Sequence, residues 1–470
     1  MGYQPPANGF RTFVILWASQ SVSVLGTEIT LFALNVWLVT VAYPLAEQQP
    51  QLAWALAAVG MAMGLASLVI TPFAGALADR LDRKRLMLSM NLVNGAVMAA
   101  AAFLAAAGLL DVWMVVLAAG LLGMTDAVHN SAFDTSYAML VSDEQLPRAN
   151  GMMQTIWSLS GVLSPALAAS IIALPALARS GALPAGPGAF LARLETGVPL
   201  AFGVDAASFL LAATVLVFLR IPSPRDLRRA EQAAQGAPPG SAAPSEPQGS
   251  LWADVRFGVQ YIRRRPPLAW LLATFAVANL CLPLSVFVPL VVKVELAADW
   301  TARGMTYEAA LAALNTMMAA GGLTGGILVS LWGGARRRRV VVLLLSMMLG
   351  GLAQVGLGLL PGLYLAGAAA FFISFTGPMA NAHSQAIWQG QVDRGYQGRV
   401  FAVRRVTAQS LTPLGQVMAG WLAARVAPGL GLALLGGVVV LVSGAQFFNR
   451  HVMRVEDRAY VESCAGGTTA

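Results

Sequence analysis

The segment Gly75-Ala76-Leu77-Ala78-Asp79-Arg80-Leu81-Asp82-Arg83-Lys84-Arg85 decides how this chain folds. It carries two acids and four cations, whereas residues 61–78, which lead into it, and residues 86–110, which follow it, carry no charge. Hydrocarbon tolerates neither unpaired charge nor unsatisfied backbone groups. The segment is therefore predicted to be a tight, water-exposed hairpin between two membrane-spanning helices.

The composition is typical of a polytopic membrane protein. The 470 residues are 57% hydrophobic and 11% charged, whereas soluble proteins carry about a quarter charged residues. Apolar runs of about 20 residues, each long enough to cross ~30 Å of hydrocarbon as a helix, recur along the chain. A barrel would instead show alternating segments of about ten residues. The predicted fold is all-α, with twelve transmembrane helices at residues 12–43, 53–78, 86–108, 112–140, 149–178, 198–219, 268–296, 306–333, 340–360, 363–390, 399–424 and 428–449.

The net charge is +8, and the basic residues are distributed unequally between the two sides of the membrane. If the amino terminus is inside, only five cations fall on the outer side, namely Arg179, Arg193, Lys293, Arg303 and Arg425. The inner segments then collect Arg80, Arg83, Lys84, Arg85, Arg148, residues 263–265, residues 336–339, Arg394, Arg399, Arg404, Arg405 and the arginines of the tail. This bias predicts a multi-pass protein of the cell (inner or plasma) membrane with both termini in the cytoplasm. It also argues against nucleic-acid binding.

The cysteines and the first apolar span bear on disulfide bonding and on cleavage of a signal peptide. Cys281 and Cys464 are the two cysteines, which is too few for a disulfide framework. The first apolar span is too long for the core of a signal peptide and lacks a cleavage pattern, so it is predicted to be retained.

A polar stretch divides the spans into two sets of six. Residues 233–249 are rich in Pro, Ala, Gly and Ser, which predicts a disordered linker. Leu251, Val255, Val259 and Ile262 then recur at helical spacing, which predicts an amphipathic helix along the cytoplasmic surface. The predicted organisation is an amino-terminal bundle, a cytoplasmic linker, a carboxy-terminal bundle and a cytoplasmic tail, at residues 1–219, 220–267, 268–450 and 451–470.

The two halves of the chain show weak sequence similarity to each other. Asn130 in predicted span 4 corresponds to Asn381 in span 10, and Pro165 corresponds to Pro413. The basic cluster of the first hairpin has a counterpart at residues 336–339. Duplicated six-helix halves with a substrate site near the midplane are typical of secondary transporters.

The first hairpin and four further motifs resemble one family. The hairpin is similar to the Gly, Asp-Arg and basic-cluster pattern that the major facilitator superfamily carries between its second and third helices. The further motifs are Phe10-Arg11-x4-Leu16-Trp17-x2-Ser19-Gln20, Phe202-x2-Asp205-Ala206-x-Ser208-Phe209, Trp252-x-Asp254-x3-Gly258-x2-Tyr261-Ile262 and Gly398-Arg399-Val400-Phe401-Ala402-Val403. Together, over about residues 10–450, they resemble the branch that contains macrolide-efflux and enterobactin-exporter proteins.

The resemblance implies two pseudo-symmetric six-helix bundles that rock about a midplane cavity lined by spans 1, 4, 7 and 10. It implies a monomer that exports a hydrophobic or amphipathic small molecule (a drug, macrolide or siderophore-like natural product) by proton antiport. An importer or a lipid flippase on the same fold is the alternative. The chain shows no catalytic triad, metal-ligand spacing or nucleotide motif, so neither enzymatic activity nor a cofactor nor ATP use is predicted. The rival from another class is a membrane enzyme, which would need a nucleophile–base or metal cluster at a membrane face, and a non-transporting receptor or scaffold is a further alternative.

The charged hairpin has two interpretations. It could be only a topogenic turn, or it could be a gate at the cytoplasmic face formed by Gly75, Asp79, Arg80, Arg83 and Lys84. In the gate, Asp79 would close against the helix start at Gly398 and Arg399, where the helix dipole and a cation favour an anion. Arg83 would meet an acid at the end of span 4, either Asp134 or Asp143. Gly75 would let helix 2 pack closely.

Charged groups inside the spans are candidates for proton or substrate coupling. Glu28 lies near the middle of span 1, where a carboxylate is costly unless it is paired, hydrated or protonated. In span 4 one helical face carries Asp126, His129, Asn130, Phe133 and Tyr137, with Asp134 at its edge. Asp126 and His129 can hydrogen-bond, and histidine is the side chain most easily tuned to titrate near neutral pH. The alternatives are a neutral Glu28 bonded between helices and a structural histidine.

Other polar positions carry weaker predictions. The second hairpin, Trp332-Gly333-Gly334-Ala335-Arg336, has lost its acid. Gly161 and Pro165 match an antiporter motif only in part. His383 points away from the polar face of span 10 and is interpreted as packing, and Asp205 as a helix contact. Paired glycines such as Gly321 and Gly322 are interpreted as helix-packing positions.

Overall fold

The computed structural model describes residues 6, 8–142, 145–221, 251–393 and 396–466. Every regular element among these residues is helical. Eleven helical segments of the described residues are long and apolar enough to cross a bilayer. The remaining predicted span, the eleventh at residues 399–424, is also helical, but three arginines in its first turns, Arg399, Arg404 and Arg405, make it more polar than the rest.

The described residues of the first half form seven α-helices. Six correspond to the predicted spans, and the short α6 was not predicted. Helix α1 ends in one π-helical turn, Leu38–Ala42. The helices are α1 (Gly9–Trp37), α2 (Gln49–Arg80), α3 (Arg83–Ala106), α4 (Val112–Leu140), α5 (Leu146–Arg179), α6 (Ala185–Leu191) and α7 (Val198–Phe218).

In the part of the second half that the structure describes there are eleven α-helices, several of them short. Helices α9 and α10 together make one crossing, Pro266–Val294. The helices are α8 (Leu251–Arg263), α9 (Pro266–Leu280), α10 (Leu284–Val294), α11 (Ala297–Ala302), α12 (Tyr307–Trp332), α13 (Arg339–Leu359), α14 (Leu363–Gln391), α15 (Gln397–Ala423), α16 (Pro428–Ala445), α17 (Arg450–Met453) and α18 (Arg458–Gly466).

Predicted span 7 is not one continuous helix, and that part of the prediction is wrong. Helix α9 ends at Leu280 and α10 begins at Leu284, with Pro283 at the junction. Proline has no N–H to donate and it disfavours helical geometry at the residue before it. Helix α9 therefore ends here, and the chain continues as α10 within the same membrane crossing.

The described chain clusters into two compact units. The first contains residues Met1–Pro44 and Ala62–Ser245, and the second contains Leu45–Met61 and Glu246–Ala470. The start of α2 thus belongs to the second unit, where Gln49 Nε2 donates a 3.0 Å hydrogen bond to the carbonyl of Ala423.

Close helix contacts hold each unit together. In the first unit, α7 packs on α1 and α3, and α4 packs on α3. In the second, α14 packs on α12 and α13, and α13 packs on α16. A Cβ on Gly321 or Gly325 would collide with the backbone of α14 at Phe371 or Phe375. This confirms the predicted role of these glycines in helix packing.

The predicted amphipathic helix and the tail are both folded against the second unit. The predicted helix is present as α8, and its Gly258 lies against Arg399 and Val403 at the start of α15. The tail forms α17 and α18 rather than a plain extension. Between them, Glu456 Oε1 accepts a 2.8 Å hydrogen bond from the N–H of Val340, at the start of α13.

Candidate functional site

A cavity with several polar and two acidic side chains in its wall lies inside the first unit. Its volume is ≈ 160 Å³, and its wall is built by side chains from α1, α2, α3, α4, α5 and α7. Glu28, Asp126, His129 and Asn130 all line it. Four of the five residues predicted to couple protons or substrate therefore share one cavity.

Helical periodicity explains why the α1 and α4 residues converge. On α4, Asp126, His129, Asn130 and Phe133 follow the i, i+3, i+4, i+7 spacing of one face, and all four line the cavity. The predicted face of span 4 is confirmed to this extent. Asp134 is exposed and does not line this cavity.

Asp126 is held by an amide network from α3. Asn94 Nδ2 donates a 3.2 Å hydrogen bond to Asp126 Oδ1, while Asn94 Oδ1 accepts from the hydroxyl of Thr125. The predicted hydrogen bond between Asp126 and His129 is not formed among the described residues. The Asp126 carboxylate accepts its hydrogen bond from Asn94 instead.

His129 is the second unusual group of the wall. Its ring stacks on Phe133, with the ring centroids 6.3 Å apart and the planes 15° from parallel. Its Nε2 is buried and has no hydrogen-bond partner among the described residues. A buried polar atom without a partner is costly, so this nitrogen is an unsatisfied group beside the cavity.

Glu28 is the least restrained acid of the cavity. Within the described part of the chain its carboxyl group makes neither a hydrogen bond nor an ion pair. No lysine or arginine lies among the described residues that line the cavity. Two carboxyl groups thus face a confined space without a positive partner, and a proton or a cationic ligand can supply the missing charge.

The loop of the first hairpin is very short. Helix α2 ends at Arg80 and α3 begins at Arg83, so only Leu81 and Asp82 connect them. The Asp82 carboxylate accepts a 3.1 Å hydrogen bond from the N–H of Arg85, and so caps α3. This role was not predicted, although an aspartate directly before a helix is a known capping signal.

Two cations of the hairpin bind neighbouring helices. Arg83 is 7% exposed, and its guanidinium donates to the carbonyls of Ala78 (3.0 Å) and Thr135 (3.4 Å) and contacts the Met139 sulfur. Lys84 Nζ donates a 2.8 Å hydrogen bond to the carbonyl of Val217, in the last turn of α7. Arg83 therefore joins the hairpin to the end of α4.

Parts of the gate prediction lie outside the described structure. The side chains of Asp79 and Arg80 are not described, nor is Asp143, so the predicted partners of Asp79 and Arg83 stay predictions. A Cβ built on Gly75 would meet no atom of the described residues within 4 Å. The prediction that Gly75 permits close helix packing is therefore wrong in this conformation.

The second hairpin is fixed by a histidine in place of the missing acid. Gly333 and Gly334 adopt φ of 75° and 74°, which favours glycine. The N–H of Ala335 donates a 2.9 Å hydrogen bond to His383 Nε2, and His383 Nδ1 lies 2.7 Å from the Met379 carbonyl. His383 is 2% exposed, in line with the packing role predicted for it.

The antiporter-like motif and Asp205 both lie at helix contacts with α1. Helix α5 continues through Pro165, which cannot donate to the Gly161 carbonyl four residues earlier. Next to it, Ser164 Oγ donates to the carbonyl of Leu25 (3.4 Å). Asp205 is 0% exposed, and a Cβ on Gly26 would lie 2.6 Å from its Oδ1.

A family model described as Major Facilitator Superfamily matches residues 28–416 of this chain. The chain belongs to the major facilitator superfamily. The predicted family and the all-α fold with a twelve-helix arrangement are thereby confirmed. The superfamily consists of transporters rather than enzymes, and its members are multi-pass membrane proteins.

Sequence relatives are distant but extend over most of the chain. Macrolide efflux protein A of Streptococcus pyogenes is 23% identical over 434 residues, which cover 92% of this chain and 94% of that protein. Macrolide efflux protein A of Enterococcus faecalis is 24% identical over 350 residues, which cover 74% of this chain and 94% of that protein.

Solved structures share the fold. A bacterial homologue of the human lysosomal transporter Spinster, in an inward-facing and unoccupied conformation, superposes with a TM-score of 0.63 at 15% identity, over 98% of this chain and 96% of that chain. A bacterial homologue of the iron transporter ferroportin, in an inward-facing state, gives a TM-score of 0.61 at 14% identity, over 96% and 99% of the two chains. At these identities the likeness concerns the fold alone.

Proposed function

We propose that this protein is a secondary active transporter that exports a hydrophobic or amphipathic small molecule, such as a drug, macrolide or siderophore-like natural product, in exchange for protons. The observation that carries the proposal is the cavity of the first unit. Glu28 and Asp126 both line it, and no lysine or arginine is among the described lining residues. Membership of the superfamily supports transport, and the macrolide-efflux relatives support export.

Coupling follows from competition for the same carboxyl groups. Glu28 has no fixed partner among the described residues, so a proton and a cationic or polar substrate would replace each other there. A ligand shifts a conformational equilibrium only by its differential affinity for the two states. If the two occupants favour opposite states, exchange results, with Asp126, His129 and Asn130 completing the site.

The first hairpin is proposed as the gate of the same cycle. Arg83 binds the carbonyl of Thr135 on α4, the helix that also carries Asp126 and His129. A movement of α4 on proton or substrate binding would therefore be transmitted to the hairpin that carries Asp79, Arg80 and Lys84. Gly161 and Pro165 would contribute a bend in α5 where it touches α1.

The membrane placement is part of the proposal. The charge bias of the loops supports residence in the inner or plasma membrane, with both termini in the cytoplasm. In this orientation the Gly75–Arg80 part of the hairpin lies on the cytoplasmic side. The transporter is proposed to function as a monomer.

Everted membrane vesicles test the proposal. With an acid interior, vesicles that contain the protein should accumulate a radiolabelled macrolide above vesicles without it. Nigericin, which collapses the pH gradient, should abolish the difference. Accumulation that is indifferent to the gradient would remove proton antiport, and release rather than accumulation would favour the importer.

A further inference from the structure

The carboxy-terminal tail is built into one end of the second unit. Val452, Val455 and Val461 are at most 1% exposed, and they belong to the same buried cluster as Leu268 of α9 and Val340 of α13. Helix α17 packs on α9 and α13, and α18 packs on α9 and α14. Three buried valines thus hold the tail against three helices at once, so its polar groups have defined positions.

Glu456 of the tail contacts two different helices. Its Oε1 accepts the 2.8 Å hydrogen bond from the N–H of Val340, at the start of α13. Its carbonyl accepts a 3.0 Å hydrogen bond from Nε2 of Gln391, the last residue of α14. One residue therefore joins the start of α13 to the end of α14, through its side chain and its main chain.

An ion pair adds a second link between the tail and α14. The guanidinium of Arg458, on α18, donates to the carboxylate of Asp393, two residues beyond the end of α14. Both side chains are 54% exposed, and exposed ion pairs contribute little to stability. The pair therefore directs the loop that follows α14, while the buried valines and Glu456 hold the tail in place.

The first hairpin makes the same two connections with residues of its own. Asp82 caps the start of α3, and Arg83 joins the hairpin to the end of α4. In the second hairpin the residue before α13 is Arg338, whose side chain makes no capping hydrogen bond to the described residues. Glu456 supplies the cap at Val340 instead, and it also supplies the link to α14, the counterpart of α4.

We propose that the tail replaces the acid that the second hairpin has lost, and that Glu456 is a positioning residue through which α13 and α14 move together during transport. A movement of α14 would pass to the second hairpin through Glu456, as a movement of α4 would pass to the first hairpin through Arg83. The inference goes beyond the proposed export function. It requires a transporter with moving helices, but neither a particular substrate nor proton exchange.

Amide hydrogen exchange of the purified full-length protein tests the role of Glu456. Glu456→Ala removes the acceptor of the Val340 N–H, so exchange over the first two turns of α13 should speed up about tenfold, the factor that corresponds to one hydrogen bond to a charged group. Glu456→Gln keeps an acceptor oxygen and should retain most of the protection. Glu462→Ala is the matched control, because this exposed acid of the same tail bonds within α18.

Moving the acid tests whether Glu456 takes the place of Asp82. Arg338→Asp, added to Glu456→Ala, places an aspartate directly before α13, as Asp82 lies directly before α3. Arg338 has φ of 55°, a conformation that aspartate tolerates better than most residues, and aspartate is a favoured cap. The double variant should regain the lost protection. Arg337→Asp on the same background makes the same change of charge one residue further from the helix and should regain little.

A further variant tests the link between the two helices. Gln391→Leu removes the donor to the Glu456 carbonyl, and no hydrogen bond joins Gln391 to α13 among the described residues. If the tail connects the helices, exchange should speed up about fivefold at the start of α13 as well as at the end of α14, because one neutral hydrogen bond is lost. A purely local role of Gln391 would change exchange in α14 alone.

Specific outcomes would overturn the inference. Unchanged exchange in Glu456→Ala, or equal losses in Glu456→Gln and Glu456→Ala, would remove the capping role. Equal results for the Arg338 and Arg337 variants would remove the equivalence with Asp82, and an effect of Gln391→Leu confined to α14 would remove the link. If Glu456→Ala does not fold, Gln391→Leu decides the question. None of these results depends on whether the protein accumulates a macrolide.

Discussion

Glu28 and Asp126 differ in how the protein holds them. Asp126 accepts a hydrogen bond from Asn94, whereas Glu28 has no partner in the described part of the chain. A carboxyl group that accepts a hydrogen bond from a fixed donor is held in one position. A carboxyl group without such a donor can change its binding partner during a transport cycle. Glu28 is therefore the group expected to exchange proton and substrate directly, and Asp126 the group that shapes the site around it.

Replacement of Glu28 should separate binding from coupling. Glu28→Gln keeps the shape of the side chain but cannot carry a proton, so gradient-driven accumulation in everted vesicles should fall to the level seen with nigericin. Glu47→Gln removes an exposed acid outside the cavity and serves as the control. Normal accumulation by Glu28→Gln would exclude Glu28 from coupling.

Arg83 is expected to stabilise the fold as well as the gate. Its removal takes the donor from the carbonyl of Ala78, and a buried unsatisfied group costs about 1–3 kcal/mol. It also removes a contact with the carbonyl of Thr135, which keeps its hydrogen bond within α4. Arg83→Ala should therefore lower the unfolding temperature of the purified protein. Arg83→Lys should restore little of it, because an ammonium lacks the planar fork of the guanidinium.

The exposed Arg85 is the matched control for Arg83, since it lies in the same turn of α3. Arg85→Ala should leave the unfolding temperature nearly unchanged. Equal effects of the two alanine variants would show that the charge of the hairpin, and not the contacts of Arg83, determines its stability.

At the scale of elements, the two hairpins of the duplicated fold are held in different ways. The first uses Asp82 as a helix cap and Arg83 as a bridge to α4, whereas the second uses His383 from α14 to bind the N–H of Ala335. Because Nε2 accepts that bond, the Nδ1 proton of a neutral ring points to the Met379 carbonyl. A protonated ring could not accept from Ala335.

Loss of this acceptor should loosen the second hairpin. His383→Phe keeps a ring in the same place but leaves the N–H of Ala335 unbonded, so amide hydrogen exchange should speed up over residues 333–338. We expect a destabilisation of about 1–3 kcal/mol. His383→Gln, which can accept a hydrogen bond, should restore part of the protection. Identical exchange in wild type and His383→Phe would show that another group holds the turn.

The elements were predictable to different degrees. Long apolar runs bounded by charges determine where helices such as α3 and α4 lie, because hydrocarbon enforces both length and backbone satisfaction. The break at Pro283 was missed although proline is a helix-breaking signal. Proline alone does not decide the outcome, because α5 and α15 continue through Pro165 and Pro413. The tail helices α17 and α18 were missed because their anchors, such as Glu456 bonded to Val340, join residues distant in sequence.

At the scale of the whole molecule, part of the site followed from periodicity alone. The face of α4 that carries Asp126 and His129 needed only the 3.6-residue repeat. The partner of Asp126 could not be predicted, because no sequence rule states which face of α3 points inward. A signal was nevertheless present, since Asn91 and Asn94 interrupt an otherwise apolar span, and both line the cavity.

Membership of the superfamily makes transport the function of the whole molecule, and the central claim is that substrate and protons move in exchange through the Glu28 cavity. Proteoliposomes with a pH-sensitive dye inside test it most directly. A substrate gradient imposed without any initial pH difference should drive protons in the opposite direction in the wild type, and Glu28→Gln should show no proton movement. Substrate flux through the wild type with no change in internal pH would contradict the account.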